Sequence, residues 1–267
     1  FAGNRSVGRL SMPMVARAIS RHCLDARLAA RAVAKGAAVQ CGERLTPQHE
    51  EGWIHASGRV RMREGKWLGL KAHYQGLELR AGLEMHLGRG GYVGLTAIEE
   101  GRVNVCALLP MGSGGPKAEL LPRRLREIGL DAVAERLEQA AVDEASITGI
   151  SHFELGFQSV FQHSDTLALG DGHSLIPPFT GAGMSMAFES AARALPSLLD
   201  WVNDRISWSE AVSTVQSRLR IHFRRRMGWA NLVHRALLSR VGPGLLRAGV
   251  GWRMLPFDSL VRVLREP

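Results

Sequence analysis

The residues best suited to chemistry lie in one stretch, Leu167-Ala168-Leu169-Gly170-Asp171-Gly172-His173-Ser174-Leu175-Ile176-Pro177-Pro178-Phe179-Thr180-Gly181-Ala182-Gly183-Met184. Asp171 is a fixed hydrogen-bond acceptor after a short apolar run, suited to a hydroxyl such as a sugar or ribityl alcohol. Gly172-His173-Ser174 imitates the nucleophile elbow of hydrolases, for which Asp200, Asp204, His222 and His234 could supply partners. An elbow needs a helix directly after the serine and a small fifth residue. Here the fifth residue is Ile176, and Pro177-Pro178 forbids an immediate helix, so nucleophilic hydrolysis is set aside. The ten histidines show neither His-x-x-x-His with a carboxylate nor a nearby Cys pair, so no metal site is expected.

Positioning Asp171 requires a strand before it and a helix after it. Met184, Met186, Ala187, Phe188, Ala191, Ala192 and Leu195 recur at helical spacing, so the stretch reads as strand, loop, helix. In open α/β sheets ligands sit off the carboxyl ends of strands, where helix N-termini present unpaired N–H groups. Gly181 and Gly183 let the backbone approach a flat ligand closely.

Gly170-Asp171, followed by Ile176-Pro177-Pro178-Phe179-Thr180-Gly181 and Gly183-Met184, resembles the second flavin-binding motif of FAD-dependent oxidoreductases of the geranylgeranyl reductase and aromatic hydroxylase type. The resemblance implies that Asp171 binds the ribityl chain of FAD. It also places Gly170, Pro178, Gly181, Ala182, Gly183 and Met184 at the cofactor, with the loop and helix start beside the isoalloxazine ring. Ala182 stands where many relatives carry a polar residue, which preserves a backbone contact but not a side-chain one.

Earlier in the chain, Ser20 can cap a helix carrying Leu24, Leu28, Ala29 and Ala32 and ending at Gly36, with Ala37 to Cys41 expected as a strand. The pattern from Ser20-Arg21 to Gly36-Ala37 again resembles the flavoproteins and implies that Arg21 faces the FAD pyrophosphate. A first-turn cation opposes the helix dipole and needs a compensating partner. Gly52 to Arg59 reads as a short strand and turn. Lys66 to Tyr74, Leu77 to Leu87, Tyr92 to Ile98 and Arg102 to Leu109 alternate as strands, predicting an antiparallel meander. In it Leu77, Leu79, Ala81, Leu83, Met85 and Leu87 form an apolar face, and Glu78, Arg80, Glu84 and His86 the opposite one. Met111 to Lys117 is a Gly-rich connector, residues 119 to 141 supply one or two helices broken near Gly129, and Ser146 to Val160 returns as strand. Trp208 to Leu238 is one long helix, followed by an apolar, Arg-bearing tail from Leu245 to Leu264.

At 267 residues, 45% hydrophobic and 22% charged, the chain has the makings of a sizeable core. A formal charge of +9 favours anionic partners: a dinucleotide, a membrane surface or nucleic acid. Charge is the only support for nucleic acid, since no recognition signature accompanies it. The basic C-terminal region offers peripheral membrane association. No uninterrupted apolar run reaches the roughly 20 residues that span a bilayer. Three cysteines without paired spacing argue against a disulfide framework and for a reducing, cytoplasmic setting.

The expected fold class is α/β with α+β character: a truncated Rossmann-like FAD-binding domain, an antiparallel-sheet substrate domain and a helical C-terminus. The boundaries are 1–65 for part of the FAD-binding domain, 66–160 for the sheet, 161–205 for the return to the FAD-binding domain and 206–267 for the helical region. The Gly-x-Gly-x-x-Gly pyrophosphate fingerprint is not in the chain, so it reads as a C-terminal portion. The resemblance implies FAD as cofactor, NAD(P)H as electron donor, and reduction of a carbon–carbon double bond in a lipophilic, isoprenoid- or polyketide-like substrate. The alternatives are FAD-dependent monooxygenation and a non-catalytic hydrophobic-ligand module. No residue is distinguished as catalytic acid or base.

Overall fold

The computed structural model describes residues 1, 18–43, 50–59, 65–111, 120–158 and 166–239. In chain order its elements are α1 (Arg21–Val33), β1 (Ile54–His55), β2 (Trp67–Gln75), β3 (Leu83–Leu87), β4 (Tyr92–Ala97), β5 (Val103–Pro110), α2 (Leu120–Glu127), α3 (Asp131–Glu138), β6 (Ala141–Phe153), β7 (Gly156–Phe157), β8 (Leu167–Ala168), β9 (Ser174–Leu175), α4 (Gly183–Val202) and α5 (Trp208–Leu238). The result is a mixed α/β fold with a five-stranded antiparallel sheet and a helical C-terminal region. Two compact units divide the chain: Phe1–Thr46, Gly69–Ala107 and Gly114–Gly149 form one, and Pro47–Leu68, Leu108–Ser113 and Ile150–Pro267 the other. The Gly-rich connector from Gly112 onward and the tail from Leu245 to Leu264 lie outside the described residues.

In the first unit, Ser20 caps α1 as its residue type predicts, its Oγ accepting from the Cys23 N–H at 3.2 Å. The strand expected at Ala37 to Cys41 is absent. Those residues are exposed and join no ladder, so nothing fixes an extended conformation there. Gly129, with φ +79°, separates α2 from α3, as its position between the two apolar patterns suggests.

The sheet runs in the order β3-β4-β5-β2-β6, which corrects the simple meander. Only β3, β4 and β5 follow one another; β2 pairs with β5, and the loop between β2 and β3 carries the chain past two strands. The faces of β3 also depart from the expectation, although Leu87 of the apolar set is buried. Glu84 and His86 are buried at 1% and 3% exposure, while Leu83 is 57% exposed. An ion cluster makes this tolerable. Arg136 on α3 donates to Glu84 Oε2 at 2.8 Å and Oε1 at 3.2 Å, His86 Nε2 lies 2.8 Å from Oε2, and the Arg80 N–H donates to Oε1. Burial pushes the Glu84 carboxyl up, but the hydrogen bonds from Arg136, the Arg80 backbone and His86 outweigh it and hold it low. A charge buried with this many donors is satisfied, which an isolated one would not be.

In the second unit, β1 and β8 form a parallel pair, with Ile54 opposite Leu167 and His55 opposite Ala168. β7 and β9 pair antiparallel. Ser207 and Glu210 close a capping box at the start of α5, which explains why the helix begins at Trp208. Its 3.6-residue period buries Val212, Val215, Leu219, Phe223, Met227 and Ala230 against Met186 and Ala194 of α4 and against Leu167, Leu169 and Ile176. Glu189 on α4 adds a polar tie, accepting from Arg226 at 2.8 Å and meeting His222 Nε2 at 2.8 Å.

Candidate functional site

The site is built at the carboxyl end of β8. The ladder runs one residue beyond the strand, since the Leu169 N–H donates to His55 O at 2.9 Å. The chain then turns sharply: Gly170 takes φ +59°, a left-handed conformation that most side chains resist. A Cβ there would stand 3.2 Å from Ala187 Cβ on α4. Gly170-Asp171-Gly172 forms a single 3-10 turn, closed by the His173 N–H on Gly170 O at 3.0 Å.

Ser190, on the second turn of α4, holds this corner. Its Oγ accepts from the Gly170 N–H at 2.9 Å and donates to Ala187 O at 2.7 Å. Gly172 packs under β1, where a Cβ would meet Gly58 O at 3.3 Å and His55 O at 3.5 Å. The strand tip that carries Asp171 is therefore clamped between the Ser190 hydroxyl and Ala187 of α4 on one side and the backbone of His55 and Gly58 on the other.

The proline loop is equally local in its bonding. Pro178-Phe179-Thr180 makes a second 3-10 turn, and Gly181 ends it at φ +63°. Thr180 Oγ1 donates to Pro177 O at 2.9 Å and accepts from the Ala182 N–H at 3.2 Å. Helix α4 then starts at Gly183 with Ala182 in the cap position, so no side chain caps it and its first turn has no acidic residue. A Cβ on Gly183 would lie 3.9 Å from Asp171 Oδ1. The carboxylate and the helix start are therefore neighbours, close enough for a methyl at position 183 to touch Oδ1 in ordinary van der Waals contact. Met184 is 44% exposed on the first turn.

The structure therefore brings Gly170, Asp171, Pro178, Gly181, Ala182, Gly183 and Met184 together on one corner of the second unit. Arg21 belongs to the first unit. It is exposed on the first turn of α1, where Asp25 four residues on accepts both from its Nε and from its guanidinium at 3.1 Å. Asp25 is the compensating partner that a first-turn cation requires.

Three further residues matter that the sequence did not single out for a role. Ser190 and Thr180 fix the two turns. His173 is largely buried, its ring edge-on to Phe157 at 5.8 Å and tilted to Phe223 at 6.5 Å, with no partner for Nδ1 among the described residues. Burial pushes this imidazole down, opposed by a hydrogen bond to the Gln216 backbone and reinforced by Arg220. Ser174 lies in β9 opposite Phe157, 2% exposed and without a following helix, a geometry unlike a nucleophile elbow.

A polar cleft of about 280 Å³ lies in the first unit, lined by Gln75, Glu100, Arg102, Ala141, Val142 and Asp143. Arg102 there already meets Glu100 at 3.0 Å, Glu99 at 3.6 Å and Asp143 at 3.9 Å, so its charge is spent within the protein.

No protein-family model and no curated protein sequence matches the chain. Solved structures do. PqsL, described as a probable FAD-dependent monooxygenase from Pseudomonas aeruginosa, superposes with a TM-score of 0.50 at 20% identity over 74% of this chain. HpxO of Klebsiella pneumoniae, solved with FAD and uric acid, gives 0.55 at 16% identity over 79%. FqzB gives 0.65 at 13% identity over 91%. The chain has an FAD-binding monooxygenase-like fold. It spans 58% of the PqsL chain, 59% of the HpxO chain and 71% of the FqzB chain.

The residues at the corner fit a flavin. Asp171 offers an acceptor for a polyol hydroxyl, Gly183 brings the helix backbone close to it, and the uncapped start of α4 offers backbone N–H donors to an electron-rich ring edge. None of these groups can carry electrons in a redox step, so the corner can bind and orient but needs a cofactor for redox chemistry.

Proposed function

We propose that this chain supplies part of the flavin site of an FAD-dependent monooxygenase. The observation that carries the reading is the clamped corner from Gly170 to Met184, where the Asp171 carboxylate lies beside the uncapped start of α4, a Cβ on Gly183 standing 3.9 Å from Asp171 Oδ1. In this reading Asp171 binds the ribityl chain. The backbone from Pro178 to Met184 borders the isoalloxazine ring. FAD supplies the electron transfer and the reaction with oxygen when bound. The protein's own residues supply orientation: Ser190 and Thr180 hold the turns, and His173 packs between Phe157 and Phe223 as part of the wall.

Oxygenation is preferred over reduction of a double bond because PqsL, which shares the fold, is described as a probable monooxygenase. Bmp2, a flavin-dependent brominase, shares it at a TM-score of 0.53 and 13% identity. The substrate is proposed to be a lipophilic small molecule and the electron donor NAD(P)H.

The test is FAD titration by flavin fluorescence on the protein that contains this chain, alongside Asp171→Ala and Asp171→Asn. Loss of one charge-assisted hydrogen bond predicts roughly tenfold weaker binding for the alanine variant, with asparagine between. Equal affinity in all three proteins overturns the role of Asp171. Oxygen uptake coupled to NAD(P)H oxidation supports the monooxygenase; substrate hydrogenation without oxygen uptake replaces it by the reductase.

A further inference from the structure

Helix α5 is buried along one side only, and its other side is unusual. No acidic residue lies between Glu210 and the end of the helix, whereas Arg218, Arg220, Arg224, Arg225 and Arg235 are all exposed there. Arg226, by contrast, is buried against Glu189 and belongs to the interior. Among the exposed arginines stand three large apolar side chains: Ile221 at 69% exposure, Trp229 at 48% and Leu232 at 58%. Ile221, Arg225, Trp229 and Leu232 follow one another at intervals of four, four and three residues, so they share one stripe. From Arg218 to Arg235 that stripe is about 26 Å long at 1.5 Å per residue.

We infer that this face of α5 is a docking surface for an anionic phospholipid membrane. The helix need not spend its structural face on the lipid, because Leu219, Phe223, Met227 and Ala230 hold it to the protein core from the opposite side. Exposed arginines pair with lipid phosphates, and Ile221, Trp229 and Leu232 insert at headgroup depth, where an indole is at home. Charge complementarity selects an acidic surface, as does the formal charge of +9. The two aliphatic side chains favour lipid over nucleic acid, whose phosphates would give them nothing to bury against. Among the described residues no helix is long and apolar enough to cross a membrane, so the contact is with the surface.

The experiment is flotation of the full chain with phosphatidylcholine vesicles and with vesicles containing phosphatidylglycerol. Two variants are compared, Ile221→Ser/Trp229→Ser/Leu232→Ser and Arg218→Gln/Arg224→Gln/Arg225→Gln/Arg235→Gln, each checked by circular dichroism. Binding is expected only to the phosphatidylglycerol vesicles, with release at ~0.5 M salt, where screening is strong. Each variant should bind about tenfold more weakly or less. If the serine variant fails to fold, Trp229→Phe replaces it, and brominated phosphatidylglycerol should then quench less of the protein's fluorescence than in the parent. Equal binding to both vesicle types, or unchanged binding by both variants, overturns the inference. So does a labelled DNA duplex that displaces the vesicles and is lost with the arginines but not with the apolar residues; that result assigns the face to nucleic acid.

Discussion

Ser190 Oγ and the Gly170 N–H, twenty residues apart, meet at 2.9 Å, and this bond sets the direction in which the chain leaves β8. Ser190 is 1% exposed, so the bond is shielded from solvent on the helix side. Ser190→Ala therefore leaves a partly buried N–H without its acceptor, at a cost of about 1–2 kcal/mol. Urea unfolding should show a lower midpoint with an unchanged slope. A midpoint within error of the parent would mean that the corner is held by other contacts.

Gly170→Ala attacks the same corner from the backbone. A left-handed conformation costs an L-residue roughly 1–2 kcal/mol. The new methyl also meets Ala187 Cβ at 3.2 Å, so α4 has to give slightly. Because both substitutions disturb one contact, the double variant Gly170→Ala/Ser190→Ala should lose less than the sum of the two. Full additivity in the unfolding free energies would show that the contacts are independent.

Arg136 offers a sharper test of the first unit. Its guanidinium is the main donor to Glu84, whose side chain is fully buried. Arg136→Met keeps the aliphatic stem and leaves the buried carboxylate with only the Arg80 N–H and His86 as partners and no cation, which predicts a loss of up to about 3–5 kcal/mol. Replacing both residues, as Glu84→Gln/Arg136→Met, should recover part of it. Chemical denaturation of the pair of variants measures this directly, and equal stabilities would show that Arg136 matters only through packing.

What was legible in the sequence divides along the range of the interactions. The limits of α5 follow from local signals, a capping box at Ser207 and Glu210 and an apolar period sustained to Leu238. The strand, loop and helix around Asp171 were legible for the same reason, since Gly170, Pro177, Pro178 and Gly181 each dictate the backbone where they stand. The face of β3 was not. Alternation assigns Leu83 to the core and Glu84 to solvent, but the donor that makes Glu84 tolerable inside is Arg136, 52 residues away. Strand order escaped for a similar reason, because periodicity marks where strands are and leaves open which edges they share. Ser190 and Thr180 carried no signal of their own; their roles exist only once a helix and a turn bring their hydroxyls to particular N–H groups.

Stability should depend on pH through buried imidazoles. Burial lowers the pKa of His234, packed near Trp67 and Phe179, from 6.5 to about 4. Its neutral form is the one the fold accepts, so its contribution is complete above about pH 6.5 and is lost as pH falls toward about 4. His173 and His73 are pushed down in the same direction, chiefly by burial, and act in the same sense. Glu189 adds a lower window. Burial raises its carboxyl, but Arg226 and His222 outweigh that and hold it below its usual 4.5, so its contribution disappears only at more acid pH. Melting temperature measured from pH 7.5 to 4.5 should thus fall, and His234→Phe, which keeps an aromatic ring in place, should make the fall shallower without abolishing it. Parallel curves for the two proteins would remove His234 from the account and leave the slope to His173, to His73 and to His86, whose pKa burial lowers to about 4.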